Sequence, residues 1–142
     1  MEKEKKLNKK VLIIIAVLLV VVAVVLLAVF NKPSNEKELE TNLTEMGKSF
    51  YENFYYEQVG SSADERSTLL SKFTTIGIKV DLDNLGRYNN GEFSDEIKEF
   101  KNSKTDEKCN QTNTKVIIYP KSPYGKTDYK VEVKLDCGFE EE

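Results

Sequence analysis

The chain of 142 residues has no histidine, only two cysteines and only three prolines. Each scarcity removes a class of chemistry. Without histidine no serine has its usual activating base, and two thiols alone give neither zinc nor haem the donors it needs. A glycine-rich phosphate loop is missing as well. Carboxylates are plentiful, but no apolar neighbourhood marks one out as a general acid or base. These absences point away from an enzyme, and no cofactor is expected.

What the sequence does have is Val11 to Phe30, twenty consecutive apolar residues with no charge, proline or glycine, eight of them valine. At about 1.5 Å per residue a helix of that length spans roughly 30 Å, the hydrocarbon thickness of a bilayer. The expected topology follows from the flanks. Residues 1–10 carry five Lys against two Glu, and the remainder carries sixteen basic against twenty-two acidic residues. Basic residues beside a span stay inside, which predicts a plasma-membrane protein with a cytoplasmic N-terminus and an extracytoplasmic C-terminal domain. A cleaved signal peptide is the alternative. The run exceeds the roughly 7–15 residues of a signal core and Ala28-Val29-Phe30 is not a small-x-small site, so an uncleaved anchor is expected.

The sequence therefore divides into a basic cytoplasmic tail (1–10), a transmembrane helix (11–30), a linker broken by Pro33 (31–35) and an extracytoplasmic domain (36–142). In an oxidising exterior the two cysteines read as one disulfide, Cys109 to Cys137. The acidic balance of the outer domain argues against nucleic acid as its partner. The partners this topology implies are the lipid bilayer, through residues 11–30, and an envelope protein or glycan outside.

Leu39, Leu43, Met46, Phe50 and Phe54 recur at steps of four and three, one apolar stripe on a helix over 36–58 that Asn35 would cap and Gly60 would end. Gly47 among them predicts another element approaching closely. Tyr51, Tyr55 and Tyr56 widen the stripe, as core or as an aromatic platform for a ligand or glycan. Ser62-Ala63-Asp64-Glu65 is a capping box opening a helix over 63–75 with Leu69, Leu70 and Phe73 inward. Alternation at Ile78, Val80 and Leu82 predicts a strand over 77–82, followed by a polar loop from Asp83 to Gly91. Ser94 would cap a short helix over 95–102. Strands over 114–120 and 129–136 form a hairpin whose centre near Tyr124 brings the cysteines together at its open end. The resulting fold class is α+β: a single N-terminal transmembrane helix, then a small domain with helices on one face of a short antiparallel sheet.

Two stretches are candidate sites. Asp81, Asp83 and Glu92, with Gly86, match positions one, three, twelve and six of a calcium loop. Leu85 stands where a fifth-position oxygen donor belongs, and a strand precedes the loop, so the pattern is a weak cation candidate and no metal is assigned. The second candidate is a contact surface of Tyr119, Lys121, Tyr124, Lys126 and Tyr129 on the proline-shaped hairpin loop. Tyrosine gives contact area at low entropy cost, and lysine meets acidic partners.

The basic start with its span, the run Met46-Gly47-Lys48-Ser49-Phe50-Tyr51-Glu52-Asn53-Phe54-Tyr55-Tyr56 and the ending Leu135-Asp136-Cys137-Gly138-Phe139 together resemble small single-span exported proteins of low-GC Gram-positive bacteria. That resemblance implies a location and no activity. In outline a span, a helix, a sheet and a late disulfide are also similar to type IV pilins, although no Gly-Phe precedes the span, no Glu lies within it, and Pro33 interrupts the helix. The functional expectation is a membrane-anchored interaction module, an accessory subunit of an envelope or secretion complex. A cation or small-ligand sensor is the alternative, and a pilin-like subunit a distant one.

Overall fold

A computed structural model describes residues 9–30 and 32–139. They divide into two compact units, one up to Pro33 and one from Ser34 onward. In the first, α1 (Lys9–Phe30) is one uninterrupted helix, long and apolar enough to cross a membrane. Every side chain described on it is exposed.

The second unit is α+β. Its strands β1 (Ile78–Asp81), β2 (Lys115–Pro120) and β3 (Tyr129–Lys134) make an antiparallel sheet in the order β1-β2-β3. Register pairs Ile78 with Ile118 and Ile118 with Val131, then Val80 with Val116 and Val116 with Val133. The period-two alternation thus collects these apolar residues on one face, where α2 (Glu36–Phe50) lies across β2 and β3. Leu39, Leu43 and Met46 of α2 are buried there, as the stripe predicts. The close approach foreshadowed by Gly47 is to the central strand: a Cβ at Gly47 would stand 2.5 Å from Val116 Cγ2.

The first helix of the domain does not continue regularly to residue 58. After α2 comes a π turn, Tyr51–Tyr55, in which the Tyr56 amide donates to the Tyr51 carbonyl, then a short α3 (Tyr56–Gln58). Tyr51, four residues beyond Gly47 and eight beyond Leu43, continues their inward face, and the extra residue that follows it turns Phe54 aside. Tyr51 is completely buried, whereas Phe54 is 45% exposed. The stripe was expected to run through Phe54, and the π turn is the physical reason it does not.

Other boundaries differ for equally local reasons. Helix α4 (Ala63–Ser71) opens on the expected box, the Glu65 amide donating to Ser62 Oγ at 3.2 Å, but the Glu65 carboxylate reaches the Ser61 amide and hydroxyl instead of the cap residue. It stops before 75 because Lys72 and Phe73 bond three residues back and the chain turns at Gly77, whose φ is 69°. The segment expected to be a polar loop is instead α5 (Leu82–Arg87) followed by a 3₁₀ turn, Tyr88–Asn90. Asp81 caps α5 by accepting the Asn84 amide at 2.9 Å, and Leu82 and Leu85 point into the core. Helix α6 (Ser94–Lys98) has Phe93, not Ser94, at its cap position, and it ends short of 102 because the Phe100 carbonyl accepts from Cys109.

Asn35 stands at the cap position of α2, as expected, but its side chain makes no capping bond there. Its side chain donates to the Lys101 carbonyl and accepts from the Ser103 amide, both at 2.9 Å. Asn102, 2% exposed, in turn donates to the Gly138 carbonyl at 3.0 Å. Cys109 and Cys137 lie at disulfide distance, and both are buried. Strand β3 stops at Lys134 because Asp136 is taken by the opposite loop, its carbonyl accepting from Asn110 and its amide donating to Thr114 Oγ1.

Candidate functional site

The hairpin residues expected to share one surface are split between two. Tyr129 belongs to the inner set of β3: its ring meets Tyr51 edge-on at 5.0 Å, and its hydroxyl donates to Glu52 of the π turn. Burial, then the Glu52 carboxylate, pushes the Tyr129 hydroxyl well above the ordinary tyrosine range. Lys126 also turns toward the helix and pairs with Glu57 at 3.2 Å. Tyr124 is half-buried against the core. Tyr119 and Lys121 go the other way. They line a shallow groove of about 590 Å³ with Thr74, Thr75, Lys130 and Glu132. There the Tyr119 hydroxyl and Lys130 ammonium both donate to Glu132, whose carboxyl is held below the usual carboxylate range by the Lys130 and then the Tyr119 hydrogen bond.

The acidic residues of the calcium-like pattern are each engaged separately. Asp81 caps α5, Asp83 accepts from Arg87 at 2.7 Å, and Glu92 accepts from Asn89 at 2.6 Å. Among the described residues no group of three or more His, Cys, Asp or Glu is placed to hold a metal ion. The helical turn at 82–87 is what separates them, since it directs Asp83 along its own helix instead of around a loop.

A larger groove, about 780 Å³, lies between the π turn and the α5 end, along β1. Sequence reasoning missed it. Phe50, Phe54 and Tyr55 form one wall, and Tyr88 faces them, its ring edge-on to Phe50 at 5.5 Å and to Phe54 at 5.8 Å. Asn53, Asn84, Asn89 and Asn90 supply amides around the rim. Asn89 and Asn90 adopt left-handed backbone, φ 46° and 59°, a region asparagine tolerates better than most residues. The platform considered for Tyr51, Tyr55 and Tyr56 is therefore built differently: Tyr51 is in the core, and Phe50, Phe54 and Tyr88 supply the rings beside Tyr55. The signal available in the sequence was Tyr88 set among asparagines, which reads equally as a turn.

No protein-family model, curated protein or solved structure matches the chain.

The chemistry is thus to be read from the two grooves themselves. Both are open and carry aromatic and hydrogen-bonding groups, the first with lysines and the second with amides. Such concave sites with a few convergent polar groups are the usual setting for binding.

Proposed function

We propose that this chain is a membrane-anchored extracytoplasmic interaction module, an accessory subunit of an envelope or secretion complex, that meets a protein partner with the outer face of its sheet. The observation carrying this reading is the asymmetry of the sheet. One face is covered by α2, while the other presents Lys79, Lys115, Lys130 and Lys134 against Asp81 and Glu132, with Ile117 and Tyr119 between them. A basic, tyrosine-bearing face on a domain of acidic balance suits an acidic partner surface. The apolar length of α1 supports an anchor, and the cysteine pair supports an oxidising compartment.

Crosslinking in intact cells with a membrane-impermeant lysine reagent tests it. Reproducible links from Lys121 and Lys130 to one envelope protein are expected, and the double change Tyr119→Ala and Lys130→Glu should weaken the link from Lys121. Labelling with no protein neighbour would remove the module reading, and no labelling of any lysine beyond Phe30 would overturn the topology.

A further inference from the structure

The groove beside the π turn shares only Lys79 with the sheet face described above and no lining residue with the Tyr119 groove. We infer that it is an oligosaccharide-binding site, in which a sugar ring stacks on Phe54, Tyr88 flanks it edge-on to that ring, and the surrounding asparagines bond the sugar's hydroxyls.

Three observations converge on that ligand class. The first is the rings. Phe54 is 45% exposed although it belongs to an aromatic set with Phe50 and Tyr88, and Tyr88 is itself fixed from behind by Phe93, stacked at 5.6 Å. The face of an aromatic ring is electron-rich, and the C–H groups on one side of a pyranose carry the complementary partial charge. The second is the amides. Each asparagine carries both donors and an acceptor, which matches hydroxyl groups that do both. Asn84 and Asn90 are exposed and line the groove. The third is the backbone. A π turn lies on one side of the groove, and consecutive left-handed residues, Asn89 to Gly91, lie on the other. Departures of this kind persist where surrounding structure enforces them and concentrate at functional sites.

Competing occupants fit less well. A phosphate ligand would need a cradle of backbone amides or a cluster of cations. The lining has Lys79 and Arg87, and Arg87 is already bound to Asp83. An extended peptide would have to add to β1, whose free edge is four residues long with Lys79 within it, the usual protection of an edge strand against such pairing. The volume, about 780 Å³, lies within the roughly 300–1,000 Å³ typical of ligand sites and holds more than a single sugar ring.

The test uses the full chain in lipid nanodiscs and three probes, cellotriose, chitotriose and trigalacturonate, followed by saturation-transfer NMR and calorimetry. Binding of at least one probe is expected. Phe54→Ala and Phe54→Leu should both weaken it about tenfold, the scale of losing one stacked ring. Asn84→Ala should weaken it several-fold, and Tyr119→Ala, in the other groove, should leave it unchanged. Melting temperatures equal to the parent's establish that the variants fold. No binding of any probe, affinity indifferent to Phe54, or binding of a valine-rich hexapeptide in place of the sugars would each overturn the assignment.

Discussion

Tyr51 carries a fully buried hydroxyl that finds no hydrogen-bond partner among the described residues. Its ring is well held, by Tyr129 at 5.0 Å, Tyr55 at 6.0 Å and Tyr56 at 6.1 Å. Replacing Tyr51 by Phe keeps those ring contacts and removes the group whose desolvation is uncompensated. A buried unsatisfied polar group costs about 1–3 kcal/mol, so Tyr51→Phe should stabilise the domain by about that amount. For a unit this size each kcal/mol moves the melting temperature by about 4 °C, so a rise of roughly 4 to 12 °C is expected. The assay is a thermal melt of the unit from Ser34 onward, followed by circular dichroism in parent and variant, with Tyr51→Ala as the opposite control. Loss of the whole ring should cost about 3–5 kcal/mol. A Tyr51→Phe melt at or below the parent's would refute the reasoning, since it would mean that the hydroxyl contributes favourably in solution.

Gly47→Ala should destabilise despite alanine's helix preference of about 1 kcal/mol, because overpacking against Val116 on the central strand costs about 1–3 kcal/mol; urea midpoints of the two proteins measure the net sign. Replacing both cysteines by alanine releases a loop with a sequence separation of 28, and chain entropy puts the loss on the order of 3.5 kcal/mol, to be read from the same denaturant titration without reductant. The raised hydroxyl pKa values of Tyr51 and Tyr129, caused first by burial, tie stability to alkaline pH. Both are neutral in either state below the unfolded value of about 10, so their contribution is fully present there. As pH rises from that value toward the higher folded one, the unfolded chain binds fewer protons and stability falls. Tyrosinate absorbance from these two residues should therefore develop together with loss of near-ultraviolet dichroism, and early ionisation with the fold intact would contradict their burial.

The parts of the fold that sequence made legible are those where one pattern spans many residues. The β-branched run from Val116 to Tyr119 and the alternation at Val131 and Val133 placed both strands of the hairpin, and the spacing of Leu39, Leu43 and Met46 placed α2 on the inner face. The hairpin's centre also brought Cys109 to Cys137, as their positions in the structure agree. Single-residue shifts escaped. The π turn inserts one residue into the helical period and leaves Phe54 on a groove wall, while Tyr51, four residues beyond Gly47, keeps the inward face. Likewise Asp83 to Arg87, polar and containing Gly86, gives little helix signal of its own; burial of Leu82 and Leu85 and the Asp81 cap hold it helical. Asn35 looked like a cap from local sequence alone, and its actual partners, Lys101 and Ser103, lie too far along the chain for any short-range pattern to indicate. The larger groove needed both of these local surprises, which is why no linear motif announced it.

The fastening of Asn35 has a mechanical meaning. A tether that enters the domain at Ser34 delivers its tension one residue later to the segment 101–103, through two hydrogen bonds of 2.9 Å. From there the load passes along the chain to Cys109 and crosses by a covalent link to Cys137, just beyond the end of β3. Pulling at Ser34 therefore loads two routes at once, the backbone entering α2 and the segment 101–103, which leads through the cysteine pair to the far end of the hairpin. With the cysteines reduced that route is left to hydrogen bonds alone, from Asn102 to the Gly138 carbonyl and from Asn110 to the Asp136 carbonyl.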